Sequence, residues 1–283
     1  MRIQSYRLTS QVIFFFITIL GLVIGMTGLI YPYFFCPASP AACATCPLWI
    51  IEHVSIDLRI GADTLKFAIY SFGFLGTAFV IFGRGFCGWA CPIGFLQEIL
   101  AKVKRIPLIP YFRNLFYNLK PVTEKIEEYG IKPIYYKYII LILIPISSYI
   151  TKRLLFTELD PIGGITATIP RLITEPGEWT YRTNFWLKFI FVIIFFIFVL
   201  AISRAWCRYL CPIGAIAGLF NKVSFLKIGF NENCKECRIC KKHCPMKIDI
   251  PNVERSAECI LCGKCIDSCK FDGVNYSFLG KEY

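Results

Sequence analysis

Histidine is almost absent from this 283-residue chain, which contains only His53 and His243. Neither lies in a long apolar stretch, so no pair of histidines is placed to bind a haem inside a membrane. The spacing C-x-x-C-H that attaches c-type haem is also missing. Ionisable residues are scarce in the long apolar stretches, and proton relays through a membrane normally need them. The composition therefore argues against such haem proteins and against a proton pump.

Apolar residues are abundant in this chain. The hydrophobic share of 56% and the mean hydropathy of +0.57 are too high for an ordinary soluble protein. Four stretches are long enough, or nearly so, to cross about 30 Å of hydrocarbon as helices. They are residues 11–34, 65–82, 134–150 and 185–202. We expect a four-helix transmembrane bundle within residues 1–220 and a small α+β domain over residues 221–283.

Positive charge predicts the orientation of these spans. Residues 83–133 carry eight Lys or Arg and the chain from 203 onward carries thirteen, whereas residues 36–64 contain only Arg59. The positive-inside rule places both termini and residues 221–283 in the cytoplasm, with the spans in the lipid of the cell membrane. This topology accounts for most of the net charge of +12, so no nucleic-acid partner is expected. Residues 95–133 are expected to lie along the membrane surface as an amphipathic helix, with an ordinary loop as the alternative.

Eight cysteines near the C-terminus form two interleaved runs of the bacterial two-cluster ferredoxin type. Three thiolates spaced two residues apart wrap one face of an iron-sulfur cube, and the fourth cysteine of each run serves the other cluster. One [4Fe-4S] cluster is thus predicted at Cys234, Cys237, Cys240 and Cys269, and a second at Cys259, Cys262, Cys265 and Cys244. A pair of structural zinc sites is the alternative.

A second cysteine motif occurs twice, 120 residues apart, at the ends of the second and fourth apolar stretches. Residues 84–94 and 204–214 both fit R-x2-C-x3-C-P-I-G. The spacing predicts that Cys87 and Cys91, and likewise Cys207 and Cys211, share one helical face. Because both stretches run in the same direction, we expect two parallel-related hairpins whose four cysteines converge. These thiols suit a further metal or iron-sulfur site, a redox dithiol, or contacts to the ferredoxin clusters. Simple packing at a helix end is the alternative.

A third group of cysteines lies in the connection between the first two apolar stretches. Cys36, Cys43 and Cys46 fall on the side of the membrane where disulfides are permitted. They are consistent with a metal or cluster site, with a disulfide that leaves one thiol over, or with a site completed by a partner.

The combination of four spans, two CxxxCP motifs and a double ferredoxin motif resembles the NapH-like membrane ferredoxins. That group includes the C-terminal part of NosR and the CcoG-like cupric reductases. The resemblance extends from the first span to Cys269, and Asp160-Pro161-Ile162-Gly163-Gly164 looks like a short family signature, or else a simple turn. It implies oxidation of membrane quinol, transfer of electrons to partner redox subunits, and a role for the CxxxCP cysteines in the electron path or in docking.

The sequence thus predicts a quinol dehydrogenase-type electron-transfer subunit that links the quinone pool to a partner redox enzyme. Glu98, Glu158 and Asp160 are candidates to exchange quinone protons, although solvated or helix-capping roles are the simpler interpretation. Electrons in the reverse direction, from a low-potential soluble donor to a membrane acceptor, remain an alternative. So do a metal (cupric) reductase or metallocentre assembly factor that binds copper at the CxxxCP thiols, and a membrane anchor with structural clusters.

Overall fold

Helices dominate the N-terminal part of the computed structural model, which describes residues 3–24, 46–58, 61–103, 135–163, 165, 185–250 and 255–282. The helices of this part are α1 (Ile3–Ile24), α2 (Pro47–Asp57), α3 (Ala62–Phe82), α4 (Gly85–Trp89), α5 (Pro92–Val103), α6 (Tyr136–Thr151), α7 (Leu155–Leu159), α8 (Pro161–Gly163), α9 (Phe185–Ala201) and α10 (Pro212–Phe220). A π-helical turn (Trp206–Leu210) precedes α10.

Three of the predicted spans correspond to α3, α6 and α9, and α1 covers the beginning of the first. The remainder of that first stretch lies outside the described residues. Within the described part of the chain, α3 alone is long and apolar enough to cross a membrane by length and composition, whereas α6 and α9 are apolar but shorter. The complete four-helix bundle stays a prediction. Of the proposed amphipathic segment 95–133, the structure describes only the part inside α5.

Helix α2 lies in a segment that the sequence predicted as a connection. Pro47 occupies its first turn, where the missing N–H costs nothing. The helix packs along α6 and carries Glu52, whose side chain is buried. The Glu52 carboxylate accepts hydrogen bonds from the Ser148 hydroxyl (3.2 Å) and from the backbone N–H of Phe156 (2.7 Å). This carboxylate therefore ties α2, α6 and the first turn of α7 together.

One apolar core joins these helices to the two CxxxCP motifs. Phe79 of α3, Ile144 of α6 and Val199 of α9 are each no more than 3% exposed. Cys91 and Cys211 belong to the same buried cluster. Because burial of each large apolar side chain contributes roughly 1.5–3 kcal/mol, this core fixes the relative positions of the two motifs.

The C-terminal part combines a small sheet with two short helices. Strand β1 (Leu226–Phe230) pairs antiparallel with β2 (Val274–Phe278), which pairs with β3 (Lys281–Glu282). Helices α11 (Ile239–His243) and α12 (Lys264–Ser268) pack against each other beside the sheet. Since β1 and β2 frame the cysteine-rich segment in sequence, their pairing closes it into one α+β unit.

Candidate iron-sulfur site

The two C-x-x-C-x-x-C loops fold in the same way. In the first loop the residues on both sides of the middle cysteine, Glu236 and Arg238, have positive φ angles of 47° and 57°. Leu261 and Gly263 repeat this in the second loop, with φ angles of 48° and 70°. Left-handed residues curl a short loop tightly, so the two loops share the same local backbone shape.

Cys244 joins the cysteines of the second loop. Cys244, Cys259, Cys262 and Cys265 line one small cavity whose other walls include Ile228, Ile248 and Ile260. Burial raises the pKa of the Cys259 thiol to about 12, with a further contribution from the neighbouring Cys262 and Cys244. The structure therefore brings together the set predicted for one cluster, although ligation itself stays a prediction. Four thiols around an apolar cavity fit a [4Fe-4S] cluster, which is held by four thiolates.

Cys269 approaches the first loop through Gly273. The Gly273 N–H donates to the Cys269 Sγ at 3.3 Å, and a Cβ on Gly273 would lie 2.7 Å from the Cys234 Cα. Cys240 in turn interacts electrostatically with Cys234 and Cys237. Within the parts of the chain that the structure describes, no three His, Cys, Asp or Glu converge as ligands of a single metal ion. A cube does not require that convergence, since each of its irons takes its own thiolate.

The four CxxxCP cysteines also come together, but not on continuous helices. Cys87 lies in α4, which ends at Trp89, and Cys207 lies in the π-helical turn, which ends at Leu210. Cys91 and Cys211 each stand before a new helix, where their Sγ atoms accept hydrogen bonds from the N–H of Gly94 (3.4 Å) and Gly214 (3.3 Å). The expectation of one helical face for each pair was wrong, because a residue before proline is driven out of the helical region.

All four CxxxCP thiols are buried and near one another. Cys87, Cys91, Cys207 and Cys211 are between 3% and 6% exposed. Burial raises the pKa of Cys211 to about 12, and the adjacent Cys207 and Cys87 add to the shift. Burial likewise raises the pKa of Cys91, with further contributions from Cys207 and Cys87. The proximity of the two pairs supports the predicted convergence, and their role stays a prediction. From Cys87 to Cys269, no cysteine forms a disulfide in the structure.

Each motif arginine crosses to the other repeat. Arg84 donates to the carbonyl oxygen of Cys207 at 2.6 Å, and Arg204 donates to the carbonyl oxygen of Cys87 at 3.2 Å. The glycines of the motif make room for this crossing. A Cβ on Gly214 would lie 2.9 Å from Arg84 Nη2, and one on Gly94 would lie 3.2 Å from Arg204 Nη1. The repeated Arg and Gly are therefore packing partners across the repeat.

Two buried carboxylates complete this arrangement, and the sequence did not predict either role. Glu258 pairs with Arg84 (2.6 Å) and Lys137. Glu98 pairs with Arg204 (3.1 Å), and also with Arg7 (2.5 Å) and Lys264 (2.7 Å). Burial alone would raise the pKa of Glu98, but the hydrogen bond from Arg7 and the nearby cations hold it well below its usual range. Glu98 is thus neither a solvated acid nor a helix cap.

The ferredoxin part docks directly on the first CxxxCP motif. Cys87 packs in one apolar cluster with Met246, Ile260 and Cys262, and Cys244 borders that cluster. The indole N–H of Trp89 donates to the carbonyl oxygen of Leu261 at 2.8 Å. Gly88 lies against the Ile260 carbonyl oxygen so closely that any side chain there would collide with it. The second ferredoxin loop and the first CxxxCP motif are therefore packed against each other.

Cys46 lies beside the second CxxxCP motif. It is the N-cap residue of α2, and it lines a cavity of about 30 Å³ together with Cys211, Trp206 and Asp160. Cys36 and Cys43 lie outside the described residues. The structure therefore brings one of the three connection cysteines beside the CxxxCP thiols, which the sequence did not anticipate.

The remaining candidate acids occupy different settings. Glu158 forms an ion pair with Arg153 at 3.1 Å near the protein surface. Asp160 is buried, and its carboxylate accepts from the N–H groups of Ile162 (3.3 Å) and Gly163 (3.1 Å), so it does cap a turn. It also lines a cavity of about 560 Å³ between α6, α7 and α9, whose other walls are mostly apolar and include Trp206.

Comparisons with known proteins identify relatives of this chain. A family model described as a 4Fe-4S binding domain matches residues 67–110 and 183–231. An uncharacterised protein of Methanocaldococcus jannaschii is 31% identical over 84% of this chain and 88% of its own length. The ferredoxin-type protein NapH of Haemophilus influenzae is 28% identical over 67% of this chain, and the regulatory protein NosR of Pseudomonas aeruginosa is 26% identical over 72%. These matches cover 61% of NapH and 26% of NosR.

The chain belongs to the NapH/NosR-like family of 4Fe-4S membrane proteins. The resemblance read from the sequence is therefore confirmed. As a member of this family, the chain is an iron-sulfur electron-transfer protein with a ferredoxin-type 4Fe-4S domain. No solved structure matches it.

Proposed function

We propose that this chain is a membrane-bound subunit that carries electrons between the quinone pool and a partner redox enzyme through two [4Fe-4S] clusters. The observation that carries the proposal is that Cys87 and Cys262 belong to one buried apolar cluster. The ferredoxin part and the first CxxxCP motif therefore share a buried apolar interface. The four-helix bundle, with both termini in the cytoplasm, belongs to the same proposal.

The order of sites along the protein suits a relay. Cys237 of the first ferredoxin loop is exposed, whereas Cys262 and Cys265 of the second loop are buried. A donor or acceptor subunit therefore approaches the cluster at Cys234, Cys237, Cys240 and Cys269. The relatives named ferredoxin-type protein NapH and regulatory protein NosR support an assembly with other redox subunits. Lys235 and Lys241 flank this exposed loop and favour an acidic partner surface.

The cavity of about 560 Å³ is the proposed quinone site, since apolar pockets with few polar groups suit such a ring. Trp206 lines it, and the Trp206 Nε1 is buried with no hydrogen-bond partner among the described residues. A quinone carbonyl would satisfy that N–H. Asp160 borders the same cavity and can take up or release a quinone proton. Trp206 and Asp160 also share the smaller cavity with Cys211, so this site adjoins the CxxxCP thiols.

The numbers of electrons and protons transferred are the same whether quinol is oxidised or quinone is reduced. One quinol-to-quinone conversion releases two electrons and two protons, and each of the two ferredoxin clusters accepts one electron. Asp160 takes one proton and water at the cavity mouth takes the other. Large apolar side chains such as Ile69, Ile142 and Trp186 are more than 60% exposed on α3, α6 and α9. An apolar surface of this kind supports a position in lipid, where quinone is dissolved.

The proposal is tested with the full chain in lipid nanodiscs under anaerobic conditions. A quinol analogue is added to oxidised protein, or a quinone analogue to dithionite-reduced protein, and the cluster EPR signal is followed. We expect one of the two additions to change the signal. Trp206→Phe should slow that change at least tenfold while dithionite still reduces the clusters. Trp186→Phe, on the exposed face of α9, is the matched control and should behave as wild type. Clusters that respond to neither addition would refute the quinone link.

A further inference from the structure

We propose that Cys87, Cys91, Cys207 and Cys211 together hold a third iron-sulfur cluster at the junction of the two repeats. The inference deepens the proposed function, because such a cluster would join the ferredoxin relay to the quinone cavity. Cluster binding is nevertheless measured without any quinone, so the two proposals fail separately.

The first argument is the donor set. Each repeat contributes two thiols, and all four are buried at one place in the fold. Their sulfurs also receive hydrogen bonds, from the N–H of Gly94 and Gly214 and from the side-chain amide of Gln97, whose Nε2 lies 3.1 Å from the Cys207 Sγ. Hydrogen bonds to sulfur are among the means by which a protein tunes a cluster. Four thiolates are the ligand set of both [2Fe-2S] and [4Fe-4S] clusters.

The second argument is an excess of buried positive charge around the thiols. Four buried cations surround this place, and two buried carboxylates pair with them. The cations are Arg7, Arg84, Lys137 and Arg204, and the carboxylates are Glu98 and Glu258. The difference is two positive charges. Among the described residues no further buried carboxylate pairs with these cations, and unpaired charge is costly in a protein interior.

A four-thiolate cluster supplies the missing negative charge. A [4Fe-4S] core of charge 2+ with four thiolates has a net charge of about −2, and one electron makes it about −3. Assembly releases four thiol protons, so the balance of charge closes without another ion. Arg204 also interacts with Cys262, so the neighbouring ferredoxin cluster shares part of this positive field.

Two further observations favour an anionic occupant. The Nε atoms of Arg84 and Arg204 are buried and have no hydrogen-bond partner in the described parts of the chain. The 4Fe-4S binding domain model matches residues 67–110 and 183–231, and each match contains one CxxxCP pair and none of the ferredoxin cysteines. The match therefore supports cluster chemistry at these pairs.

The test begins with iron and acid-labile sulfide in anaerobically purified full-length protein. Three [4Fe-4S] clusters give about twelve irons per chain, and a [2Fe-2S] cluster beside two cubes gives about ten. We expect one of these values and a third component in Mössbauer and EPR spectra. About eight irons, with or without copper, would overturn the proposal while leaving the quinone link open. This count depends on no variant.

Variants then assign the third component. Cys91→Ala with Cys211→Ala should remove it and keep the eight irons of the ferredoxin part, while Ile93→Val in the same segment should change nothing. Where the double variant does not fold, Cys211→Ser keeps an oxygen ligand and should shift the third EPR signal alone. Persistence of an unshifted third component in these variants would place it elsewhere and contradict the assignment.

Discussion

Arg84 and Arg204 each reach from their own CxxxCP motif to the other one. Arg84 donates a hydrogen bond to the carbonyl oxygen of Cys207, and Arg204 donates one to the carbonyl oxygen of Cys87. Each also meets a carboxylate that a second element supplies, Glu258 for Arg84 and Glu98 for Arg204. Both arginine side chains are only 1% exposed. The repeat is therefore an interlocked pair of motifs, and removal of either arginine disturbs both cysteine pairs.

Replacement of Arg84 by Met tests this interlock. The change leaves Glu258 buried with Lys137 as its remaining ionic partner, and loss of one member of a buried ion pair costs about 3–5 kcal/mol. We expect a marked fall in the thermal unfolding midpoint of detergent-purified protein. Lys66→Met removes an ion pair that is almost fully exposed and should leave the midpoint unchanged. Equal midpoints for the two variants would show that the crossing contributes no stability.

The motif glycines should tolerate no side chain. Gly94→Ala places its Cβ 2.8 Å from the Cys87 carbonyl oxygen, which is backbone and cannot move aside easily. We expect it to destabilise the protein by about 1–3 kcal/mol, as overpacking typically does. Gly76→Ala in α3, where no atom of the described residues lies within 4 Å of the added Cβ, should be stabilising or neutral. An unfolding midpoint for Gly94→Ala at or above that of Gly76→Ala would contradict the packing role of Gly94.

Most of what could be predicted from the sequence rested on the spacing of the cysteines. The ferredoxin spacing grouped Cys244 with the second loop because one short loop cannot enclose all four irons of a cluster, and the structure brings these residues together. The 120-residue repeat pointed to convergence of the CxxxCP pairs. It also contained Arg84 and Arg204, so their matched roles were open to inference from the motif.

Other features could not be predicted from the sequence, because they depend on contacts between residues that are far apart in the chain. Glu98 looks like a surface acid until the fold brings Arg204 and Lys264 to it. The position of Cys46 beside the CxxxCP motifs could not be predicted, because nothing in the sequence indicates that α2 leads back into the core. The helical reading of C-x3-C was wrong because proline after the second cysteine outweighed the four-residue period.

Asp267 of the ferredoxin part caps α1 from the other end of the chain. Its carboxylate accepts from the N–H of Ile3 (3.0 Å) and of Gln4 (2.9 Å). Asp267→Ala should lower the free energy of unfolding by about 0.5–2 kcal/mol, as loss of an N-cap does. It should also increase local opening of α1 and α12, which Asp267 joins. Hydrogen exchange should rise in the first turn of α1 and in α12. Asp63→Ala, which removes an exposed acid of α3, is the control; unchanged exchange in Asp267→Ala would argue against the cap.

Asp160 should make the quinone reaction depend on pH near 6. Burial raises the pKa of Asp160 to about 6, Glu52 adds to the shift, and Lys188 opposes it. Only the carboxylate accepts a proton from quinol, so quinol-driven reduction should rise with pH through about 6. The folded state holds the proton more tightly than the unfolded state, so burial of Asp160 costs more stability above that pH than below it. Asp160→Asn should flatten the rate profile in stopped-flow absorbance; a profile that keeps its step would assign the pH dependence to another group.

The most direct test of the account is the EPR spectrum of the nanodisc-embedded protein before and after addition of a quinol or quinone analogue. We predict that the ferredoxin cluster signals change on one addition, that Trp206→Phe slows this change, and that dithionite reduces both proteins alike. Cluster signals that dithionite alters and neither analogue touches, in wild type as in the variant, would contradict an electron path between the ferredoxin clusters and the quinone cavity.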